Sequence, residues 1–327
     1  MIIRVEKVNR VRSNVQALSK MLAIFTAIIC IFFLSGCKDA DNEEDVSRSV
    51  KAAETYYNQG QFRAAILEAK NAIKKNPKNP QGFMVLSKIY NQIGGYPATQ
   101  SILEPIVTQM PQVSLELAEA YVAAKKYRSA LNTLNSYEPA SNDVPAKQKK
   151  QILVARSNIA LGDKQAYEKS LLALKELDAD KVEIGLIEAE ALTAQGNVGE
   201  LNSSISETLK GALENTRVLI FLGDMAIRNN EYSSAEEYYT KALGLLPKTD
   251  IFTVERLTAL GQLTEVLIKQ GKSGEAYRYQ KILAEANPEG HAAQEKFNDA
   301  MELFRQGKFA DAEKVLKELR EQFPQDK

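Results

Sequence analysis

Histidine and cysteine are the side chains that most often serve as metal ligands or nucleophiles, and this 327-residue chain has few of them. It contains one histidine, His291, and two cysteines, Cys30 and Cys37. A zinc site takes three or four protein ligands, and no H-x-x-x-H or C-x-x-C spacing, phosphate-binding loop or nucleophile elbow occurs. Adjacent carboxylates such as Glu236 and Glu237 fall on polar helix faces, where solvated charge is expected. The residue types therefore predict no catalytic centre, no metal site and no cofactor.

Cys37 follows a segment with the parts of an export signal. The stretch from Met1 to Lys20 carries five basic side chains and one acidic side chain, and the stretch from Met21 to Leu34 has no charge. A membrane-spanning helix needs about 20 apolar residues, so this run is too short to be a span and has the length of a signal-peptide core. Ser35 and Gly36 come next, and the chain then becomes polar and acidic. The N-terminus therefore predicts export, with translation starting at Met1 or at Met21.

Leu34-Ser35-Gly36-Cys37 resembles the lipobox of bacterial lipoproteins. In that family the cysteine thiol receives a diacylglycerol, cleavage occurs just before the cysteine, and the new amine is acylated. The resemblance implies a signal peptide over residues 1–36, a lipidated Cys37 and a solvated acidic tether over residues 37–47. Several acyl chains hold a protein stably to a membrane. The alternatives are an ordinary secretory signal and an uncleaved anchor.

The residue after the cysteine bears on which membrane holds the protein. In lipoproteins an Asp at that position commonly causes retention at the inner membrane, and this chain has Lys38 instead. The resemblance therefore implies the outer membrane, on its periplasmic face, in a Gram-negative host. The chain carries 42 basic and 42 acidic side chains, and loss of residues 1–36 removes five positive charges and one negative, which leaves −4. A mildly acidic protein has no electrostatic reason to bind nucleic acid.

The rest of the chain repeats one helical outline at a regular interval. Glycine accommodates the left-handed backbone that ends a helix, and proline stops a helix because it lacks an amide hydrogen. No strand pattern is present. Four pairs of like residues in the first two units share the same separation: Tyr56 with Tyr90, Gly60 with Gly94, Phe62 with Tyr96, and Pro77 with Pro111.

This outline and its interval resemble the tetratricopeptide repeat (TPR), a helix–turn–helix unit of about 34 residues. The resemblance implies an all-α, TPR-type solenoid of about eight hairpins in a right-handed superhelix, in which each repeat packs against its neighbours. We expect TPR repeats 1–3 over residues 48–137, degenerate TPR-like repeats over residues 147–214, and TPR repeats 6–8 over residues 216–327.

Local features refine this outline. Ala53 and Ala65 are expected where the two helices of a hairpin come closest. Pro105 falls inside the second helix of repeat 2 and is expected to kink it. Longer connections at residues 138–146 and 248–256 are expected to interrupt the regularity of the array.

The resemblance also implies a concave groove, lined by the first helix of each hairpin and suited to an extended peptide or a partner helix. For each groove position the alternative is packing of one first helix on the next. TPR domains that bind chaperone C-termini use a Lys and Asn clamp, and the matching positions here, Val50, Glu54, Met84 and Lys88, do not supply it. The expected groove residues are Tyr57, Met84, Lys88, Asn91, Leu115, Glu119, Ile220, Asp224, Ile227, Arg228, Glu265, Ile268, Phe297, Met301 and Phe304.

A lipobox followed by a TPR array is similar to several envelope lipoproteins: pilotins, a barrel-assembly lipoprotein, and the TPR lipoproteins of exosortase and exopolysaccharide systems, which residues 53–80 resemble most. This implies a non-catalytic, lipid-anchored periplasmic scaffold that binds envelope, secretion or assembly proteins through its groove. One alternative is an accessory of exopolysaccharide or cell-wall glycan synthesis or export that binds glycan or its enzymes, and another is an enzyme with an unrecognised site. The absence of tryptophan argues against direct sugar binding. The sequence leaves the oligomeric state open.

Overall fold

The computed structural model describes residues 39–196, 203–286 and 288–322, which form sixteen α-helices, one short 3-10 turn at Pro111–Val113 and no strand. In chain order the helices are α1 (Asp39–Asn58), α2 (Phe62–Lys75), α3 (Pro80–Gln92), α4 (Tyr96–Leu103), α5 (Ser114–Ala123), α6 (Tyr127–Asn135), α7 (Val144–Leu161), α8 (Lys164–Glu176), α9 (Lys181–Ala194), α10 (Ser203–Lys210), α11 (Thr216–Arg228), α12 (Tyr232–Leu245), α13 (Val254–Lys269), α14 (Ser273–Ala286), α15 (Pro288–Arg305) and α16 (Phe309–Gln322).

Consecutive helices pair into eight hairpins, from α1 with α2 to α15 with α16. The first helices α1, α3, α5, α7 and α9 also pack on one another in chain order, and α11 packs on α13 in the same way. This is the layered packing of a solenoid, in which each repeat buries its apolar face against a neighbour. The predicted all-α class and eight hairpins are confirmed, whereas the handedness of the superhelix stays a prediction.

One left-handed residue marks the turn inside every hairpin. Its φ angle lies between 58° and 80°, a region that glycine adopts without steric cost. Six of the eight residues are glycines at the predicted turns, and Lys125 and Asn230 adopt the same conformation despite their side chains. The eight residues are Gly60, Gly94, Lys125, Gly162, Gly196, Asn230, Gly271 and Gly307.

Small residues lie where the helices of a hairpin come closest. Ala53 on α1 and Ala65 on α2 are both completely buried, as predicted. A glycine allows one such close contact between α11 and α12, where a Cβ atom placed on Gly223 would be 2.6 Å from Cζ of the buried Tyr239 ring. Glycine is therefore required at position 223 by the neighbouring helix rather than by its own backbone.

The prediction that Pro105 kinks the second helix of repeat 2 is wrong. Helix α4 ends at Leu103, before the proline, and the chain continues in hydrogen-bonded turns to Met110. Proline has no amide hydrogen with which to continue the helical ladder, so α4 is cut to eight residues. The amide of Val107 instead donates to the carbonyl of Leu103 at 2.9 Å.

The extra length predicted between repeats 6 and 7 makes a long-range contact. Residues 248–254, which we call the strap, lie between α12 and the first residue of α13, Val254, which they include. The strap reaches the turn between α1 and α2. The amide of Asp250 donates to the carbonyl of Gly60 at 3.0 Å. Ile251 packs against the core of the first hairpins, and Cγ2 of Val254 lies 3.4 Å from the Cβ position of Gly94. The solenoid thus completes a turn, and its seventh hairpin meets the first two.

None of the helices in the described part of the chain is long and apolar enough to cross a membrane.

Candidate partner-binding groove

The left-handed turn residues give every hairpin a common register. Residues ten, six, three and two positions before the turn residue lie on one face of the first helix, since each residue advances the helix by about 100°. All the expected groove residues occupy these positions. Position −10 holds Met84, Leu115, Ile220 and Phe297; position −6 holds Lys88, Glu119, Asp224, Glu265 and Met301; position −3 holds Tyr57, Asn91, Ile227, Ile268 and Phe304; and position −2 holds Arg228.

Tyr57 shows that this face points to a shared inner space. Its half-buried ring packs on Phe62 with ring centroids 5.6 Å apart, and the ammonium group of Lys88 lies 4.6 Å from its centroid. Burial raises the pKa of the Tyr57 hydroxyl, and the carboxylates of Glu119 and Glu255 raise it further. Because Glu119 lies on α5 and Glu255 on α13, the first, second, third and seventh hairpins converge on this space.

Charged pairs cover the middle of the face. Nζ of Lys149 on α7 lies 2.9 Å from Glu119 and 3.3 Å from Glu116, both on α5. Burial raises the pKa of Glu116, and the nearby Lys149 only partly offsets this rise. Glu116 is buried, and its Oε2 has no hydrogen-bond partner among the described residues. Lys149 is therefore held between two carboxylates, one buried and one facing the groove.

Arg156 continues this charged network into the degenerate repeats. Its guanidinium group lies 3.0 Å from Glu190 and 3.1 Å from Glu183, both on α9. Arg217 on α11 then donates to Glu183 at 3.2 Å. The attraction of Glu190 and Glu183 outweighs the effect of burial and raises the pKa of Arg156. One ionic network thus joins α7, α9 and α11.

This network was not predicted, although its spacing was a signal. Arg156 and Glu190 are 34 residues apart, as are Glu183 and Arg217, and each pair is of opposite sign. Equivalent positions of neighbouring repeats face each other in a solenoid, so alternating signs at the repeat interval predict ion pairs between repeats. The weak similarity of residues 147–214 to the repeat outline concealed this register.

Several expected groove residues hold the solenoid together instead of facing an open surface. Asn91 is buried, donating to the carbonyl of Glu116 at 2.9 Å and accepting the hydroxyl of Thr99 at 2.8 Å. The half-buried carboxylate of Asp224 accepts a hydrogen bond from the hydroxyl of Tyr239. Burial raises the pKa of Asp224. Leu115 is also buried, and these side chains have little area left for a partner.

The last two hairpins present exposed apolar side chains on the same face. Ile268 is 50% exposed, Phe297 43% and Phe304 55%. The Phe304 ring meets Phe309 edge to face, with centroids 5.1 Å apart. The face is therefore charged and paired in its middle and more apolar towards the C-terminus. Of the other expected groove residues, Arg228, Glu265 and Lys88 are exposed, whereas Tyr57, Met84, Glu119, Ile220, Ile227 and Met301 are partly buried.

Two of the remaining chemical candidates, Cys37 and His291, have side chains that the structure does not describe. Cys37 lies outside the described residues. His291 belongs to α15, and its side chain is not among those described. In the described part of the chain, no three histidine, cysteine or acidic residues are grouped so as to hold a metal ion.

Family models and solved structures agree with this fold. Two models, each described as a tetratricopeptide repeat, match residues 50–98 and residues 218–250. No curated protein matches the chain. The crystal structure of the APC/C hetero-tetramer Cut9–Hcn1 has a TM-score of 0.50 at 15% identity, and the match covers 90% of this chain and 56% of that one. This chain therefore spans little more than half of that structure's chain.

Two other solved structures are more distantly similar. The P58(IPK) TPR domain has a TM-score of 0.30 at 13% identity, with 86% of this chain and 74% of that chain covered. Yeast Tom70 has a TM-score of 0.32 at 14% identity, with 87% and 77% covered. The two matched repeats, the eight hairpins and the Cut9–Hcn1 structure all agree on one fold. The chain carries tetratricopeptide repeats, and its described helices form a TPR-type solenoid.

Proposed function

We propose that this protein is a non-catalytic scaffold that holds a segment of a partner protein against the inner face of its first helices. Solenoid repeats create extended concave surfaces for binding other proteins. The observation that carries the proposal is the inner face itself, where exposed charges at Lys88, Arg228 and Glu265 accompany exposed apolar groups at Ile268 and Phe304. Such a surface offers apolar anchors and orienting charges to a peptide or partner helix.

We further propose that the scaffold is anchored by lipid at Cys37 to the periplasmic face of the outer membrane, where its partners are envelope, secretion or assembly proteins. The support is the order of basic residues, uncharged run and Leu34-Ser35-Gly36-Cys37. Tethering raises the effective concentration of a bound partner at the membrane without any new contact. An accessory role in glycan synthesis or export is the alternative, in which the bound partner is an enzyme of that system.

Charge reversal on the inner face tests partner binding. The partner is first identified by crosslinking in the outer-membrane fraction. The variant Lys88→Glu with Arg228→Glu is then compared with Lys70→Glu with Arg278→Glu, which changes the same charge at exposed positions on the second helices α2 and α14. We expect the inner pair to abolish co-purification and the outer pair to preserve it. Equal retention by both variants would exclude the groove as the binding surface.

Intact mass and membrane fractionation test the anchor. The expected mass is that of a chain starting at Cys37 with added acyl groups, found in the outer-membrane fraction. A Cys37→Ser variant should lose both the added mass and the membrane association. An unmodified, unanchored chain would refute the lipid anchor and leave the groove proposal standing.

A further inference from the structure

We propose that the strap, residues 248–254, is a latch that closes the turn of the solenoid and must release before a partner segment enters the groove sideways. The inference rests on the proposed function, since it concerns access to the same inner face. It assigns to the connection between α12 and α13 a role beyond joining two repeats.

Asp250 makes the polar part of the latch. Its Oδ1 accepts the amide of Phe62 at 2.7 Å and its Oδ2 accepts the amide of Arg63 at 3.1 Å. The Arg63 guanidinium donates to the Asp250 carbonyl at 2.9 Å. The first amides of a helix have no partner within the helix, and Gln61, at the N-cap of α2, makes no side-chain capping bond. Helix α2 therefore receives its N-terminal cap from a residue that lies 188 positions later.

Close packing completes the latch. Ile251 packs against the apolar core of the first hairpins. A Cβ atom on Gly60 would lie 2.7 Å from the Lys248 carbonyl oxygen and 2.9 Å from Cγ2 of Thr249. The absence of a side chain at Gly60 thus allows the strap to reach the turn.

The strap is also fixed at its own end of the chain, next to α13. Thr253 is buried and caps α13 by accepting the amide of Arg256 at 3.2 Å. The Arg256 guanidinium donates to the carbonyls of Leu246 at 2.7 Å and Pro247 at 3.1 Å. By contrast, the charged contact between Arg63 and Asp250 is exposed, and exposed ion pairs contribute little. Opening therefore separates the strap from the first hairpins and leaves it attached to α13.

A closed turn restricts what can reach the inner face. The pKa of Tyr57 on α1 is raised in part by Glu255 on α13, so the first and seventh hairpins both border the inner space. A free peptide end can enter such a space along its axis. A segment within a folded partner has no free end and needs a lateral gap. The latch is the place where such a gap requires the loss of only a few contacts, and segments held by few buried contacts open most readily.

Distance measurement between spin labels tests the latch without a partner. The full chain, with Cys30 and Cys37 replaced by serine, carries labels at Lys70→Cys and Thr258→Cys, which are exposed on α2 and α13. We expect one distance population in this background and a second, longer population in Asp250→Ala. The matched control is Asp143→Ala, which removes a cap that accepts the Ala146 amide at 3.0 Å near its own helix. That variant should leave the distance unchanged.

A second variant and an access measurement complete the test. Ile251→Ala weakens the apolar part of the latch and should also enlarge the longer population. A bulky maleimide-polyethylene glycol should modify Lys88→Cys on the inner face several-fold faster in either strap variant, and modify Leu67→Cys on α2 at an unchanged rate. Unchanged distances in both strap variants would overturn the latch. That result would leave the charge-reversal test of partner binding unaffected, so the two proposals fail separately.

Discussion

The carboxylate of Asp250 accepts the backbone amide of Phe62 at 2.7 Å, across 188 residues of sequence. An N-cap side chain normally belongs to the residue just before its helix, whereas this one comes from the connection between the sixth and seventh hairpins. Local contacts between neighbouring repeats usually account for the stability of a solenoid. Here the strap makes the first hairpin depend on a connection that lies 188 residues later.

Hydrogen exchange should report this dependence. We expect Asp250→Ala to speed exchange of the first-turn amides of α2, because loss of a cap costs about 1 kcal/mol. Asp143→Ala should do the same for the first turn of α7 and leave α2 unaffected. Exchange in α2 that is insensitive to Asp250 would show that the capping bonds contribute nothing to its stability.

Two helical glycines should respond oppositely to alanine. Gly223→Ala places a methyl group against Tyr239 and should lower the free energy of unfolding by about 1–3 kcal/mol, the usual cost of overpacking. Gly244 has no atom within 4 Å of its Cβ position, so Gly244→Ala should raise stability by about 0.5–1 kcal/mol through helix propensity. Urea midpoints measured side by side distinguish the two effects. Equal effects would mean that the Tyr239 ring moves aside freely.

The Arg156–Glu190 pair should show a measurable coupling energy. Its atoms are 3.0 Å apart and both side chains are mostly buried, so we expect a coupling of about 1 kcal/mol between neighbouring partners. The test is a double-mutant cycle with Arg156→Met and Glu190→Gln, measured by urea denaturation. The exposed i,i+4 pair Lys281 and Glu285 is the control and should couple by a few tenths of a kcal/mol. Equal coupling energies for the two pairs would show that the Arg156–Glu190 pair contributes no more than an exposed surface pair.

Alkaline titration should separate Tyr121 from ordinary tyrosines. Burial, and then its hydrogen bond to Glu104, raise the pKa of Tyr121 to about 12 from an ordinary value of 10. A group whose pKa is higher in the folded state than in the unfolded state stabilises the fold at pH values below its unfolded-state pKa. This contribution is lost as the pH rises towards its folded-state pKa. Stability should therefore fall between pH 10 and about 12, and Tyr121→Phe should reduce that fall. Ultraviolet absorbance at high pH measures the ionisation directly, and ionisation of Tyr121 near 10 would contradict the prediction.

Much of the fold can be predicted from the sequence, because in a repeat structure most contacts join residues of the same or neighbouring repeats. The regular interval between like residues locates the hairpins, and six glycines locate their turns. At Lys125 and Asn230 other residues adopt the same left-handed backbone, so the glycine signal disappears while the turn remains. At Pro105 the sequence indicated a disturbance of α4, and the missing amide hydrogen ended the helix instead of bending it.

The groove was predictable as a face but not as a set of available side chains. Register alone placed Asn91 and Asp224 on that face, whereas their hydrogen bonds with Glu116 and Tyr239 depend on how the helices pack. The contact between the strap and the first hairpin could not be predicted from the sequence. Periodicity relates a residue to its equivalents one repeat away, and nothing in it links Asp250 to a turn six hairpins earlier.

Site-specific photocrosslinking in cells is the most direct test of the scaffold proposal. A photoreactive amino acid replaces Lys88 or Phe304 on the inner face, or the exposed Leu67 or Leu172 on the second helices α2 and α8. The proposal predicts that the inner positions form a discrete adduct with one envelope protein and that the outer positions do not. Adducts at the outer positions alone, or at none of the four, would contradict a groove that binds a partner protein.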